Sequence, residues 1–408
     1  MVTVSNASGA AIRVYDTVVH DQIFNDNVLW NNILKNVGKL SGKDASTKYL
    51  TVHYGRNVGY AAGTDSLTLP LAGKQTNIQA TVSMTNHYQT ISITDKALVA
   101  SNRSNEFLVN LLDDEYKRAK QDMQRQLSRQ GYGVGTGVVC RVNDASPDTT
   151  LTFDTPMTGK HPISEYFDIG NGIMFSSAAD AATSAAYTTV TAITGDDTAT
   201  ITLATGVADN DYVYFAHPLS TAPTVPTVSN VNAEVMGLKG LIDDTSNLTT
   251  LQGLSRDTYL WWKSSVDSAA SQRSLTENLM HSTFQKGKKL GKIKYGLTHP
   301  DVLVAYGQLL SADRRYTKDM MLNGGFSGVE FNGVPLVDDN DCPYDELYWI
   351  DPTSLSVEDL APISFLDADG DILNRIGETP VFGAVMRYYV NIATSACNKN
   401  SVLRDVVQ

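Results

Sequence analysis

Apolar and polar positions alternate with period two over most of the stretch from Lys48 to Thr94. Tyr49-Leu50-Thr51-Val52-His53-Tyr54, Ser66-Leu67-Thr68-Leu69-Pro70-Leu71, Ala80-Thr81-Val82-Ser83-Met84 and Tyr88-Gln89-Thr90-Ile91-Ser92-Ile93 each predict a strand, punctuated by Gly55, Gly59, Gly63 and Gly73. Few of these side chains are large and apolar. The strands therefore predict a long, thin ribbon, which is marginal in water unless something else supports it. The period then becomes helical. Leu108, Leu112, Tyr116, Ala119, Met123 and Leu127 recur three and four residues apart, while Asp113, Asp114, Lys117, Arg118, Lys120, Asp122 and Arg125 fill the other faces. Glu106 suits a first turn and Gly131 a C-terminal cap. The pattern predicts one helix from Asn105 of roughly 25 residues, about 38 Å long.

From Ala145 to Asn230 the composition shifts. One basic residue, Lys160, stands against nine acidic ones, a balance of -8. Thr/Val alternation in Tyr187-Thr188-Thr189-Val190-Thr191-Ala192-Ile193 and in Thr198-Ala199-Thr200-Ile201-Thr202-Leu203 flanks Gly195-Asp196-Asp197, which predicts hairpins of a small inserted β-module. Pro147 marks its entry and Pro223-Thr224-Val225-Pro226 its exit. An α/β stretch follows. Ser274-Leu275-Thr276-Glu277 predicts a capping box ahead of Leu279, Met280, Thr283 and Phe284. Thr298-His299-Pro300 predicts a helix with proline in its first position, and Val329 to Val337 predicts two strands around Asn332-Gly333. Tyr348-Trp349-Ile350, Ile363 to Leu366 and Val385 to Val390 predict further strands.

The 408-residue chain has 32 Lys+Arg against 44 Asp+Glu, a net charge of -12, of which the 145–230 stretch carries two thirds. That excludes a basic protein that coats nucleic acid by charge alone. Charged residues make up only 19%, so much of the surface is Thr, Ser, Asn and Ala or is covered by other chains. Cys140, Cys342 and Cys397 form no Cys-x-x-Cys pair, which argues against a disulfide framework or a structural zinc, and no export signal or membrane-spanning segment is apparent.

Catalytic signatures are weak throughout. The seven histidines include no pair three or four apart. Gly325-Phe326-Ser327-Gly328 lacks the final glycine of a nucleophile elbow. Gly131 to Gly137 is glycine-rich, but it leaves a predicted helix for a strand, the reverse of a phosphate loop, and reads as a joint. Asp367-Ala368-Asp369-Gly370-Asp371 with Glu378 imitates a calcium loop with its glycine misplaced, so a β-turn is the simpler reading. No catalytic residue, cofactor or metal is assigned. The one basic cluster is Lys286, Lys288, Lys289, Lys292 and Lys294, which reads either as a solvated helix end or as a non-specific contact to packaged nucleic acid.

The order of parts resembles the major capsid proteins of tailed bacteriophages, which share the Hong Kong 97 shell fold with encapsulins. The likeness rests on the ribbon ending in Ile91-Ser92-Ile93-Thr94-Asp95 before the long helix and on the Thr298-His299-Pro300-Asp301 helix start. It rests also on Glu330 to Asp339 running into Leu347-Tyr348-Trp349-Ile350-Asp351. The resemblance implies an α+β chain divided into an N-terminal arm (1–47), an extended β-ribbon loop (48–94), a peripheral domain with its spine helix (95–144), the acidic β-rich insertion (145–230), an axial domain (231–367) and C-terminal strands completing the peripheral domain (368–408). It implies a non-enzymatic chain that self-assembles into an icosahedral head in the cytoplasm of a bacterial host and ends in the virion.

The implied partners are copies of the chain as hexamers and pentamers, a separate scaffolding protein, a portal protein, packaged double-stranded DNA held non-specifically, and a decoration protein as a further candidate, with no membrane. On this reading Arg56 and Lys74 of the ribbon meet Asp113, Asp114 and Glu115 of a neighbour's spine helix, and Lys286, Lys288, Lys289 and Lys292 face the DNA. Lys74 is the one donor placed for an isopeptide crosslink, though no partner asparagine with an adjacent carboxylate stands out. Two alternatives remain at this stage: an encapsulin-like compartment, and a monomeric binding or hydrolytic protein with an acidic β-module.

Overall fold

The computed structural model describes residues 28–30, 34, 47–65, 68, 70–96, 111–144, 147–154, 166–179, 186–202, 206–217, 228–312, 320–321, 327–366, 374–375 and 379–407. Strands predominate over a few helices, so the chain is α+β. Internal contacts divide it into two units, one holding the described parts of 88–125 and 363–387, the other those of 27–87, 126–362 and 388–408.

In the first unit residues 88–94 of the strand Thr85–Thr94 and 111–125 of the helix Leu111–Gln130 supply most of the regular structure. Helical periodicity buries Ala119 and Met123 and leaves Lys117 and Lys120 exposed, as a one-sided apolar stripe requires. The expected start at Asn105 lies outside the described residues. Twenty residues are helical from Leu111 on. The Tyr116 ring packs on Phe365 at 4.4 Å between centroids, and Asp95 N–H donates to the Pro380 carbonyl. Strands Leu355–Phe365, Val381–Thr394 and Asn374–Arg375 form a sheet on which Thr85–Thr94 also pairs. The calcium-like run 367–371 with Glu378 lies outside the described residues.

In the second unit, Thr47–Gly55 and Thr76–Ser83 pair antiparallel from Thr47↔Ser83 to Gly55↔Thr76, a two-stranded ribbon that ends before the expected Thr94, because Thr85–Thr94 pairs with Val381–Thr394 instead. Of the expected strand Ser66 to Leu71, only Thr68, Pro70 and Leu71 lie among the described residues. Thr68, Pro70 and Leu71 belong to no strand, because Pro70 has no N–H to give a ladder and no neighbouring strand of this chain lies alongside. The two arms instead meet backbone to backbone at Gly59 and Gly73. A Cβ on Gly73 would sit 2.7 Å from Val58 N, and Gly59 N–H donates to Asn57 Oδ1 at 2.7 Å.

Gly131 ends the long helix as expected, without left-handed backbone. Gly131 keeps right-handed backbone, its N–H donating to the Leu127 and Ser128 carbonyls, and the last turn simply tightens. Glycine is needed there for space, since a Cβ would lie 2.8 Å from Leu29 Cδ2. The left-handed positions come later, at Gly135 (φ 78°) and Gly137 (φ 85°), inside the expected helix-to-strand joint.

Strands Val228–Ser229, Tyr212–His217, Gly172–Ser176, Ala186–Ile193, Thr198–Ile201 and Thr150–Thr152 then lie in that order in one sheet, with Val138–Arg141 pairing on Tyr212–His217. The hairpin at Gly195-Asp196-Asp197 forms as its alternation predicts, with Val190↔Ile201 and Ile193↔Ala199 opposite each other. Leu151, Phe153, Phe167, Ile173, Phe175, Val213 and Phe215 give this module its own core, and Phe167 meets Phe153 and Phe215 edge-on. The sheet starts at Val138, ahead of the change in composition at Ala145. Pro223 to Pro226 lies outside the described residues.

A six-stranded mixed sheet follows, ordered Ser265–Asp267, Ser401–Leu403, Leu347–Ile350, Tyr295–Thr298, Val334–Asp338 and Glu330–Phe331. Phe284, Phe331, Trp349 and Tyr306 cluster edge-on over it. Asn332 (φ 50°) and Gly333 (φ 81°) both take positive φ, the tight hairpin turn that Asn-Gly encodes. The helix Pro300–Ala312 begins with proline as expected. The capping box does not form. Ser274 is taken up by parallel pairing with Val407, and Thr276 caps the helix Glu277–Lys288 by accepting from Leu279 N–H. Ser327–Gly328 pairs with Met320–Met321, and Gly325-Phe326 lies outside the described residues.

Candidate assembly surface

The ladder of the ribbon is held near both of its ends. Towards its outer end the Tyr54 ring stacks on Trp261 (5.4 Å, 12°) and meets Tyr259 edge-on, and nearer its start Thr81 N–H donates to the Gln252 carbonyl at 2.9 Å. Ala80 and Val82 are buried. At and beyond the Gly59–Gly73 contact three described apolar groups lack cover: Val58 is 85% exposed, Tyr60 86% and Leu71 93%. Exposing three large apolar groups on one loop is unfavourable for a chain that stays alone in water.

Arg56 and Lys74 are exposed just past the last ladder pair, Gly55↔Thr76, so the structure brings these two expected interface cations to the same end of the ribbon. Glu115 is exposed on the long helix in the other unit, where it lines a groove of about 440 Å³ with Thr90, Ser92, Arg118 and Asp122. Asp113 and Asp114 belong to that helix, their side chains lying outside the described residues.

The lysine cluster lies where expected, at the end of the helix Glu277–Lys288, but its members differ. Lys286 Nζ is 3.2 Å from Asp267 Oδ2, and Arg273 reaches the other carboxylate oxygen at 2.6 Å. Burial pushes the Asp267 carboxyl up, yet hydrogen bonds from Arg273 and Lys286 outweigh it and hold the group below its ordinary range. Lys288 Nζ lies 5.6 Å from the Phe284 ring centre. Lys289, Lys292 and Lys294 are exposed, and Lys292 N–H donates to Asp351 Oδ2.

The second unit also holds a buried charge network that period and motif did not reveal. Arg404 pairs with Asp243 at 3.0 Å and Glu346 at 3.3 Å, Lys239 pairs with Glu346 at 3.1 Å, and Arg256 approaches Asp243 at 3.6 Å. Arg256, wholly buried, donates to the carbonyls of Gly240, Leu241, Leu248 and Trp262. Burial raises Asp243, but backbone N–H groups of Asn247 and Leu248, the Ser246 hydroxyl and Arg404 outweigh it and keep it ionised. Its one sequence signal is position: Glu346 directly precedes the apolar run Leu347 to Ile350, and Arg404 directly follows Ser401–Leu403. A second buried pair, Arg129 with Glu234, sits at the end of the long helix, with the Arg129 guanidinium 5.7 Å from the Phe215 ring centre.

Burial pushes all three cysteine thiols up, Cys397 to about 12. Among the described residues no group of His, Cys, Asp and Glu could hold a metal, and no helix is long and apolar enough to cross a membrane.

Compared with solved structures, the chain is similar over its whole length to the capsid of cyanophage A-1(L), with a TM-score of 0.62 and 11% identity, covering 100% of both chains. The fold is that of a phage capsid protein. The capsid of the native GTA particle overlays 98% of this chain and 97% of its own at TM-score 0.53 and 9% identity. The holo-SrpI encapsulin complex from Synechococcus elongatus PCC 7942 overlays 100% and 96% at 0.51 and 8%. No protein-family profile and no curated protein matches the sequence.

Proposed function

We propose that the chain is the major capsid protein of a tailed double-stranded DNA bacteriophage, a non-enzymatic subunit that closes into a shell by repeating one set of contacts. The observation that carries this reading is the ribbon tip, whose Val58, Tyr60 and Leu71 stand exposed on a chain with a capsid fold along its full length. Burying them on the next copy gains apolar area at every subunit, and a symmetric repeat converts a modest pairwise gain into a stable assembly.

On this reading 48–94 is the extended loop, 95–144 with 368–408 the peripheral domain around a spine helix, 231–367 the axial domain, and 145–230 an insertion on the outer face. Arg56 and Lys74 meet Asp113, Asp114 and Glu115 of a neighbour, each exposed pair contributing under about 1 kcal/mol. Scaffolding, portal and decoration proteins belong to the same reading, as does assembly in the cytoplasm of a bacterial host.

The overlay with an encapsulin favours one second reading, a compartment that encloses protein. Size measurement and negative-stain microscopy test both. Shells from the wild-type chain, and unassembled but cooperatively melting protein from Val58→Ser, Tyr60→Ser, Leu71→Ser, support a shell subunit. A wild-type monomer of 44.3 kDa at assembly concentrations sinks it. Nuclease-protected DNA in purified particles separates the phage head from the compartment.

A further inference from the structure

Residues Val28, Leu29 and Trp30 form a plug that sits apart from the ribbon and from the lysine cluster. Val28 and Leu29 are buried, Leu29 Cδ2 packs over Gly131, and the Trp30 indole N–H donates to the Leu127 carbonyl at 2.8 Å. Asp339 Oδ2 accepts from Leu29 N–H at 3.1 Å and from the Tyr132 hydroxyl at 2.6 Å. Asp339 Oδ1 accepts from Asp341 N–H at 3.0 Å. Asp339 is itself buried, and among the described residues no lysine or arginine pairs with it.

The ionisable groups facing Asp339 are Tyr132 from the joint after the long helix and Asp341 and Cys342 from its own loop. Glu346 lies nearer Cys342 and is neutralised by Lys239 and Arg404. A carboxylate buried this way, short of a counter-ion and next to a second acid, is an unstable place for negative charge.

We propose that Asp339 forms an acid-stabilised latch, holding the 28–30 plug in its seat while it carries a proton and loosening the plug once that proton is lost. In the neutral acid Oδ2 is the carbonyl oxygen that accepts from both donors, and the proton sits on Oδ1. Undocking exposes the group to water, where it releases that proton to solvent. Burial first, and repulsion from Asp341 second, raise the docked carboxyl to about 7, against the partial relief of its three hydrogen bonds.

The direction follows from linkage. Between the ordinary aspartate value of 3.8 and about 7, the undocked state is ionised and the docked one is not, so each rise of one pH unit favours undocking about tenfold. Below that window the latch is firmest, and above about 7 both states are ionised and the effect levels off. The whole span is at most about a thousandfold in the docking equilibrium, since Asp341 and Tyr132 stay beside the carboxyl when the plug leaves. This latch is independent of what the assembled protein encloses.

Hydrogen–deuterium exchange of the peptide spanning residues 28–30 in the full-length protein, read between pH 4 and 8.5 as the ratio of wild type to Asp339→Asn, tests it. The ratio cancels the intrinsic pH dependence of exchange. It should climb about tenfold per pH unit through the window and flatten above neutrality, because the asparagine keeps a carbonyl oxygen and never ionises. Tyr132→Phe, which removes one hydrogen bond to the carboxylate, should carry the climb to higher pH before it flattens. Wild type and Asp339→Asn running parallel across the range would overturn the latch. If the asparagine variant fails to fold, a Tyr132→Phe profile identical to wild type overturns it just as well.

Discussion

Replacing Arg256 by Met keeps most of the side-chain volume and removes one buried cation. The guanidinium closes four carbonyls, those of Gly240, Leu241, Leu248 and Trp262, and sits 3.6 Å from Asp243. Asp243 keeps Arg404 and its own turn, so the charge is not abandoned, but the carbonyls lose their donors with no water to replace them. Leaving buried acceptors unpaired costs about 1–3 kcal/mol apiece when nothing relaxes, and breaking a buried pair costs about 3–5 kcal/mol in all. Because those carbonyls can partly relax, we expect the lower total, about 3–5 kcal/mol.

Trp262, whose carbonyl Arg256 holds, directly follows Trp261 in the short helical turn Leu260–Trp262, so the same substitution should also loosen the Tyr54 stack on Trp261. Urea denaturation followed by tryptophan emission reads the first effect, since the Trp262 indole N–H donates to the Leu251 carbonyl beside the site. Negative-stain particle counts read the second. Lys286→Ala, which breaks a half-exposed pair, is the comparison and should change stability by less than about 1 kcal/mol. If Arg256→Met costs no more than Lys286→Ala, the view that this arginine ties these carbonyls together is wrong.

The remaining expectations concern the ribbon root and the lysines. Burial first, and the Arg129 charge second, lower His87 to about 4, so folding disfavours its protonation. Stability should therefore fall as pH drops from the ordinary 6.5 towards 4, and His87→Gln should flatten that part of a thermal-melt pH series while leaving pH 8 unchanged. For the lysines, Lys288→Gln, Lys289→Gln and Lys292→Gln together should weaken salt-sensitive DNA retention, read by nuclease release on heating, while assembly continues; Lys286→Gln should add little, because Asp267 already occupies that charge.

Local rules read this chain well where one neighbour decides the structure. Asn332-Gly333, Pro300 and the Thr/Val hairpin all fold as written, because a positive φ, a fixed φ or a two-residue period needs no distant partner. They fail where a distant segment competes. Ser274 has the sequence of a cap but is drawn into a strand by Val407, 133 residues on by numbering. Gly131 ends the helix as written, and it also admits Leu29 and Trp30. That Arg56 and Lys74 lie at the same end of the ribbon was legible because each follows a glycine at a bend. The pairings Arg404–Asp243 and Leu29–Asp339 join positions 161 and 310 apart in sequence, and no periodicity carries that information.

The contact of Gly59 with Gly73 separates two mechanical roles that a plain hairpin would merge. On one side the ladder from Thr47↔Ser83 to Gly55↔Thr76 has a fixed register and a fixed footing; on the other, the chain that leaves Gly59 and returns at Gly73 has its two ends already held together. Since closure entropy grows only slowly with loop length, that outer loop can lengthen, shorten or exchange its sequence without shifting the register behind it. Such an arrangement insulates the part that must recognise a surface from the part that must stay constant. A peptide grafted between Tyr60 and Ala72 would be displayed on a closed, anchored stem.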